Sequence, residues 1–259
     1  MAEPTPTDAL PRALVLLPTY NERENLPTIV DLLLAQPNVR VLVIDDGSPD
    51  GTGKLANELA AASGGRLSVM HRTGKRGLGR SYLDGMRAAL ATDVDVVFQM
   101  DADLSHDPKY LPELARATSA TDLVIGSRYL QGVSVVNWPL RRLMLSTFAN
   151  WYVRTVTGMA VRDCTAGFRC WRRESVAKLP LDAITSDGYS FQVETLFLAI
   201  EAGCTVSEVP IIFVERRVGA SKISGGVIRE SFFTPWRLLL RRWFGPRRTE
   251  GTRYNSADS

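Results

Sequence analysis

The fold of this chain is constrained most by a regular alternation of strand and helix patterns over about its first 125 residues. Apolar, β-branched runs recur between segments that carry the apolar spacing of amphipathic helices. Strands that alternate with helices form a mostly parallel sheet with right-handed crossovers, so the pattern predicts an α/β fold. The predicted strands are 13–17, 39–44, 67–71, 94–98 and 123–126, and the predicted helices between them are 24–34, 54–62 and 81–90.

The rest of the chain is patterned less regularly. It contains no repeat, low-complexity linker or clear domain boundary, so we expect one large domain with short additions at both ends. The further predicted elements are helices 140–156 and 191–202, a short strand 167–171 and an extended segment 206–214. The expected organisation is a disordered lead 1–11, a domain 12–224, amphipathic membrane-interface helices 225–246 and a disordered tail 247–259.

Composition excludes several classes of protein. No apolar run approaches the roughly 18 residues that a membrane-spanning helix needs. The N-terminus has neither the basic start nor the apolar core of a signal peptide, so we expect a site that faces the cytoplasm. The three cysteines form no Cys-x-x-Cys pair, which indicates reduced structural thiols rather than a disulfide framework or a zinc site.

The positive charge is concentrated near the C-terminus. From Arg216 onward there are ten Lys or Arg residues and three acidic residues, and the rest of the chain is net negative. A solvated basic end is the ordinary explanation for such a segment. Its aromatic pattern favours binding to an anionic membrane surface instead, and we expect no nucleic-acid partner.

Two carboxylates stand directly after the fourth predicted strand. Asp101 and Asp103 follow the apolar run at 94–98, and alternation along an extended chain would place both on one side of the backbone. Ligands of open α/β sheets bind outside the carboxyl ends of the strands. Carboxylates there suit Mg²⁺ or Mn²⁺, which commonly bind one or two of them together with substrate phosphates. An Asp pair after a strand also serves as an ordinary loop or helix cap.

Two glycine-rich segments resemble nucleotide-binding loops but depart from them. The segment 47–54 has a glycine spacing one residue too long for a Walker A loop, and Leu55 replaces its Ser or Thr. The segment 74–79 has its glycines in the wrong order for a dinucleotide fingerprint. A flexible turn and a phosphate-contacting loop both remain open for 74–79.

Polar residues follow three predicted strands, at 18–22, 45–48 and 101–103. Because the carboxyl ends of parallel strands meet at one rim, these segments predict a cleft for a nucleotide sugar. From about residue 13 to 224 the sequence closely resembles glycosyltransferase family 2, specifically its polyprenol- or dolichol-phosphate mannose synthases. Further matching segments are 75–79, 126–129, 137–140 with Arg142 and Ser146, 163–169, 188–194, 208–211 and 216–222.

The resemblance implies a GT-A (Rossmann-like) fold and a metal-dependent, inverting transfer of mannose from GDP-mannose to polyprenyl phosphate. Asp103 would be the main protein ligand of the metal. Where some relatives have Gln, this chain has Ser105, so the second ligand is left open between its hydroxyl, its carbonyl and a water. The residues implied for the donor are Pro18, Tyr20, Glu22, Ile44, Asp46, Asp101, Ala102 and Asp103.

The resemblance assigns the acceptor phosphate to cationic and hydroxyl side chains. The guanidinium group of arginine can form two hydrogen bonds to one phosphate group. Any one arginine, however, is ordinarily an exposed surface charge. The assigned acceptor residues are Arg128, Arg142, Ser146, Arg216 and Lys222, and the residues expected to be catalytic are Asp101, Asp103, Arg128 and Arg142. A phosphate oxygen is already anionic at neutral pH, so no strong base is expected, and His106 is interpreted as structural.

Two other functions are compatible with the same sequence features. A catalytically silent nucleotide-sugar-binding scaffold is possible on the same fold, since fold does not fix function. A glucosyltransferase that uses UDP-glucose, or an aminoarabinosyltransferase, would act on the same lipid phosphate.

A short amphipathic helix is predicted at 234–246, with Thr234 as its N-cap and Pro235 in the first helical position. Its apolar side would lie in the membrane interface, or else pack on the domain or on a membrane anchor protein. The residues on that side are Trp236, Leu239, Leu240, Trp243 and Phe244, extended by Phe232 and Phe233, with Arg237, Arg241 and Arg242 outside it.

Overall fold

The computed structural model describes residues 10–73, 77–215 and 225–244, and for residues 225–231 and 244 it describes the backbone only. The strands are β1 (Ala13–Thr19), β2 (Val39–Asp45), β3 (Leu67–His71), β4 (Val96–Gln99), β5 (Leu123–Ser127), β6 (Val135–Val136), β7 (Arg169–Arg172), β8 (Val206–Pro210) and β9 (Phe213–Val214). The helices are α1 (Leu26–Leu34), α2 (Thr52–Ala62), α3 (Leu78–Leu90), α4 (Leu111–Ala117), α5 (Leu140–Thr157), α6 (Arg173–Lys178), α7 (Gly188–Glu201) and α8 (Gly225–Phe244). Short 3₁₀ helices occupy Pro108–Tyr110 and Leu181–Ala183.

A seven-stranded sheet in the order β3-β2-β1-β4-β7-β5-β8 forms the centre of the molecule. All neighbouring pairs are parallel except the two that involve β7, which runs antiparallel to both β4 and β5. Strands β6 and β9 form a separate parallel pair. The predicted mostly parallel α/β sheet is therefore confirmed.

Alternate residues of each strand pack into two apolar layers, one on either face of the sheet. In β1, Leu14 and Leu16 join the layer that contains α3 and α7, whereas Val15 and Leu17 join the layer that contains α1 and α4. This arrangement follows from the two-residue period of a strand and explains why the strands read as continuous apolar runs. The sheet is thus a fixed platform whose rim positions the loops of the site.

The predicted elements of the first half are all present, with ends displaced by a few residues. Three further elements, α4, α6 and β6, are short, and their apolar spacing is too brief to distinguish them from loops. The lead at 1–9 and the tail at 247–259 lie outside the described residues.

The predicted start of the C-terminal helix is wrong. Helix α8 begins at Gly225, so Thr234 lies inside it rather than capping it, and Pro235 is an interior proline. An interior proline removes one helical hydrogen bond, but packing here outweighs that loss. Thr234 and Leu238 are buried, and the Tyr152 hydroxyl donates to the Phe232 carbonyl at 2.7 Å. The predicted end at 245–246 lies outside the described residues.

Candidate active site

The carboxyl ends of β2, β1 and β4 lie side by side at one rim of the sheet, because these strands are neighbours in the sheet and run parallel. The loops that follow them carry the three polar segments singled out in the sequence. The Asp46 N–H donates to the Thr19 carbonyl at 3.0 Å, which joins the first two loops directly. The structure therefore brings the predicted donor residues of these segments to a common edge.

Asp46 is held by two neighbouring segments. Its side chain is 9% exposed and forms an ion pair with Arg72, which also contacts Asp84 at 2.8 Å. The Gly77 N–H donates to Asp46 Oδ2 at 2.8 Å. The carboxylate thus ties the loop after β2 to the beginning of α3. Arg72 was not singled out in the sequence, since a lone arginine after a strand carries no distinctive pattern.

The other predicted donor residues around β1 and β2 differ in accessibility. Pro18 and Tyr20 are partly exposed at the end of β1. The Glu22 N–H donates to Thr52 Oγ1 at 3.0 Å, and its carboxylate accepts from Asn25 Nδ2 at 2.8 Å. Ile44 is fully buried, and its side chain belongs to the core.

The carboxylate pair occupies the loop after β4. Asp101 is about one-third exposed, and its Oδ1 accepts a hydrogen bond from Tyr82 at 3.3 Å. Asp103 is buried, and its Oδ1 accepts both the N–H of Ser105, at 3.1 Å, and the Ser105 hydroxyl, at 2.5 Å. Ala102 is buried between them. Ser105 therefore orients the Asp103 carboxylate.

His106 is buried in the same loop. Its Nδ1 accepts the backbone N–H of Asp101 at 3.2 Å, and its ring stacks on Phe168 with centroids 5.0 Å apart. Burial lowers the pKa of His106 more than the nearby carboxylates raise it. The imidazole is accordingly neutral at physiological pH and holds the Asp101 backbone in place.

Arg128 forms a buried, bidentate ion pair with Asp163. Its Nε and Nη2 each donate to that carboxylate at 2.7 Å, and Nη2 also donates to Thr165 at 2.8 Å. Burial alone would lower the pKa of Arg128, but the charge and hydrogen bonds of Asp163 raise it overall. Arg128 is therefore a permanent cation with a fixed orientation.

Arg142 and Ser146 face Arg128 from the first two turns of α5. The Arg142 guanidinium lies over the Trp138 ring, 4.2 Å from its centroid, and forms an ion pair with Glu215. The Tyr129 hydroxyl donates to Ser146 Oγ at 2.8 Å. Arg216 and Lys222, the other two predicted acceptor residues, lie outside the described residues.

A cavity of about 170 Å³ brings Arg128, Arg142 and Ser146 together between α5, α7 and α8. These three polar side chains share its lining with a predominantly apolar set. The further lining residues are Trp138, Leu145, Phe148, Ala149, Tyr152, Val153, Thr165, Tyr189, Ser190, Val193, Phe232 and Thr234. Such a lining suits a ligand that has an anionic group and an apolar body.

Sequence reasoning assigned no role to Asp163 or Trp138, although both contact the arginines that were predicted to bind the acceptor. Asp163 pairs with Arg128, and the Trp138 ring lies within 5.5 Å of both guanidinium carbons. The four-residue spacing of Trp138 and Arg142 is a signal that could have suggested the second contact. Asp163 is 35 positions from its partner, so no local spacing could reveal it.

Solved structures confirm the fold. Glucosyl-3-phosphoglycerate synthase from Mycobacterium tuberculosis, in complex with Mn²⁺, UDP-glucose and phosphoglyceric acid, superposes with a TM-score of 0.61. The match has 20% sequence identity and covers 88% of this chain and 79% of that chain. The same protein in complex with UDP gives a TM-score of 0.61 over 88% of this chain and 80% of that chain.

Two curated proteins are much closer in sequence. "Polyprenol monophosphomannose synthase" from Mycolicibacterium smegmatis is 53% identical over 224 residues, which cover 86% of this chain and 84% of the relative. "Undecaprenyl-phosphate mannosyltransferase" from Micrococcus luteus is 46% identical over 239 residues, which cover 91% of this chain and 98% of the relative. These relatives confirm the predicted resemblance. The profile of "Glycosyl transferase family 2" matches residues 14–179, so the chain belongs to glycosyltransferase family 2.

Proposed function

We propose that this protein transfers mannose from GDP-mannose to a polyprenyl phosphate, with inversion at the anomeric carbon. The observation that carries the proposal is the cavity in which Arg128, Arg142 and Ser146 stand at a largely apolar wall. A phosphate monoester on a long hydrocarbon has the same two-part chemistry. The two curated relatives are named for mannose transfer to polyprenol or undecaprenyl phosphate, which supports the same reaction here.

The donor is proposed to bind at the rim formed by β1, β2 and β4. Pro18, Tyr20, Glu22, Ile44 and Asp46 would contact or support its guanosine. The fixed position of Asp46 supports this assignment, because a carboxylate held by Arg72 and Gly77 presents a defined surface to a ligand. Asp101, Ala102 and Asp103 would line its diphosphate and sugar.

The donor set of the carboxylate loop fits Mg²⁺ or Mn²⁺. Asp103 would hold the ion, with Ser105 orienting it or supplying a second ligand, and with Asp101 alongside. Residues 10–73, 77–215 and 225–244 contain no group of three or more His, Cys, Asp or Glu side chains placed to hold a metal. Ions that take most of their ligands from water and phosphate suit such a sparse set. When bound, the metal would offset charge on the departing diphosphate.

The protein's own part in the proposed reaction is mainly positioning. Arg128 and Arg142 would hold the acceptor phosphate against the repulsion of the donor diphosphate, with one phosphate oxygen in line with the anomeric carbon. That oxygen is anionic at neutral pH and needs no proton removed. Neutral, buried His106 holds the Asp101 backbone, which supports its interpretation as a positioning residue rather than a base.

A donor-competition assay tests the proposed function. GDP-mannose and UDP-glucose are offered together with polyprenyl phosphate and Mn²⁺, and the lipid product and released nucleotide are identified. We expect mannosyl lipid and GDP. Glucosyl lipid and UDP would establish the rival donor, and absence of both nucleotides would support a non-catalytic scaffold.

Arg142→Ala is expected to raise the KM for polyprenyl phosphate about ten- to a hundredfold, because one charge-assisted hydrogen bond is worth about 1.5–3 kcal/mol. The KM for GDP-mannose should change little. Arg154→Ala is the matched control, since Arg154 is exposed on the same helix and does not line the cavity. An increased donor KM with an unchanged acceptor KM would assign Arg142 to the wrong substrate.

We further propose that the protein works as a peripheral protein on the cytoplasmic face of a membrane. None of the described helices combines the length and apolar character needed to cross a bilayer. Burial raises the pKa of the Cys164 thiol to about 12 and that of Cys204 to about 11, and all three cysteines are free. Protonated, unpaired thiols are consistent with a reducing compartment.

Helices α5 and α8 support membrane contact, because they pack together and leave large apolar side chains exposed. The Tyr152 and Phe232 rings stack between them, with centroids 5.3 Å apart. The exposed side chains are Leu140, Met144, Leu145, Phe148 and Trp151 on α5 and Phe232, Phe233, Trp236, Leu240 and Trp243 on α8. An aromatic, apolar surface of this kind suits the interfacial region of a bilayer, and a membrane anchor protein is the alternative occupant.

The predicted arrangement of α8 needs one refinement. Arg237 donates to Ser186 at 2.5 Å and lies 3.6 Å from Glu194, while Arg242 lies 3.5 Å from Glu201. Two of the three arginines expected to attract anionic lipid therefore contact α7. We expect the salt sensitivity of membrane binding to be correspondingly small, with apolar contact dominant.

Combined replacement of Trp236, Leu240 and Trp243 by serine is expected to weaken sedimentation with anionic liposomes at least tenfold. Activity on long-chain acceptor should fall, while activity on a short, water-soluble acceptor should persist. Leu32→Ser is the control, because Leu32 is exposed on α1. Unaltered liposome binding would contradict the membrane assignment. Point substitutions suit this test better than removal of α8, whose Leu238 is buried.

A further inference from the structure

Three polar side chains, those of Gln192, His106 and Asp101, converge beside Gly167. A Cβ at position 167 would lie 3.6 Å from Gln192 Nε2, 3.7 Å from His106 Cε1 and 3.8 Å from Asp101 Oδ2. The three side chains come from α7 and from the loop after β4. Glycine at this position adds no side chain of its own between them.

Gln192 is the most unusual member of this group. It is only 3% exposed, and its Oε1 has no hydrogen-bond partner among the described residues. A buried amide oxygen without a partner is costly, so such groups usually mark a missing ligand or water. The backbone of Gln192 is held in place, because Arg169 Nη2 donates to its carbonyl at 2.9 Å.

His106 offers the complementary group. Its Nδ1 accepts the Asp101 N–H, so the neutral ring carries its proton on Nε2. The ring cannot easily turn away, since Phe168 stacks on it and Phe213 meets it edge-on at 5.3 Å.

An amide oxygen that has no partner among the described residues and an imidazole N–H, both beside a strand-end carboxylate, match the needs of one alcohol group. A hydroxyl donates one hydrogen bond and accepts another, which would satisfy Gln192 Oε1 and His106 Nε2 together. Phosphate and guanine would not suit this position as well, because Asp101 would repel an anion and the space is bounded by three side chains.

We propose that Gln192 and His106 bind a hydroxyl of the sugar being transferred, and that Gln192 makes the enzyme selective for the configuration of that sugar. The inference rests on the proposed function, since it requires a nucleotide sugar at this rim. Selectivity follows because a sugar that lacks or misplaces the hydroxyl leaves buried polar groups unpaired, and sites of that kind reject such analogues strongly.

The test compares wild type with Gln192→Met, which removes the amide at nearly constant volume. The donors are GDP-mannose and its 2-, 3-, 4- and 6-deoxy derivatives, each assayed with polyprenyl phosphate. Wild type should lose at least a hundredfold in kcat/KM with one of the deoxy donors. Gln192→Met should lose less than threefold between GDP-mannose and that same donor. The comparison is a ratio within each variant, so partial unfolding does not affect it.

Gln99→Met is the matched control. Gln99 is a second buried glutamine with an orphan amide nitrogen, but its Oε1 accepts from Trp171 Nε1 at 2.8 Å in the core. This variant should keep the wild-type ratios even if it is less stable.

The outcomes separate the inference from the proposed function. If Gln192→Met keeps the full wild-type penalty for every deoxy donor, the inference is overturned, even if its kcat is uniformly reduced. If wild type uses UDP-glucose instead, the proposed donor is wrong. The role of Gln192 can still be tested by the same comparison with deoxy derivatives of UDP-glucose. If no transfer occurs, calorimetry measures the binding of the same donors without acceptor. The ratios of their dissociation constants then replace the ratios of kcat/KM.

Discussion

Asp103→Ala is expected to lower kcat at least a hundredfold, and up to about a thousandfold, at saturating GDP-mannose and polyprenyl phosphate. The reason is that Asp103 is the buried carboxylate proposed to hold Mg²⁺ or Mn²⁺ where charge develops on the leaving diphosphate. GDP release measures the effect. Asp101→Asn should weaken donor use less severely, because it preserves the shape of the side chain.

Asp107→Ala is a suitable control for Asp103, because Asp107 is nearby in the chain, half-exposed and paired with Lys109 at 2.9 Å. It should retain most of the activity. Excess EDTA should reproduce the loss seen in Asp103→Ala, and added Mn²⁺ should reverse it for wild type only. Full activity of wild type in EDTA would rule out a metal-dependent mechanism.

Asp163→Ala is expected to reduce the free energy of unfolding by about 3–5 kcal/mol, because it leaves Arg128 buried without its counter-ion. Urea denaturation followed by circular dichroism measures the change. Asp93→Ala is the control, since its ion pairs with Arg12 and Arg40 are exposed and should contribute less than about 1 kcal/mol. A loss at Asp163 no larger than that at Asp93 would contradict the proposed importance of the buried pair.

The same pair gives an expected pH dependence. Burial alone would raise the pKa of Asp163, but the charge and hydrogen bonds of Arg128 lower it overall below 3.8. A carboxylate whose folded-state pKa is lowered stabilises the fold fully above its unfolded-state pKa, and this contribution is lost as the pH falls through the folded-state value. The stability difference between wild type and Asp163→Asn should therefore shrink in acid below about pH 4.

The first half of the fold, apart from the short helix α4, could be predicted because each of its other strands and helices is long enough to show its apolar periodicity. The loops after β1, β2 and β4 were predictable for a related reason. Parallel strands place their carboxyl ends together, so the sequence alone assigns Asp46, Asp101 and Asp103 to one rim. These inferences need only short windows of sequence and one topological rule.

Other parts of the site depend on contacts that no short window contains. Strand β7 runs antiparallel, so the residues that reach the rim precede it rather than follow it, and Asp163 and Gly167 were missed for that reason. The spacing of apolar residues along a helix also does not show whether its apolar face is buried against the rest of the protein. On α5, Met144 and Phe148 have the spacing of a core face, yet both are exposed.

The cavity between α5 and α8 shares part of its lining with the exposed apolar surface. Phe148 and Phe232 belong to both, so the cavity adjoins the side of the molecule proposed to face lipid. A lipid acceptor reaching this cavity would diffuse laterally and never enter bulk water. The reaction rate would then depend on the mole fraction of acceptor in the bilayer, and diluting the acceptor with inert phospholipid would slow turnover at constant total concentration.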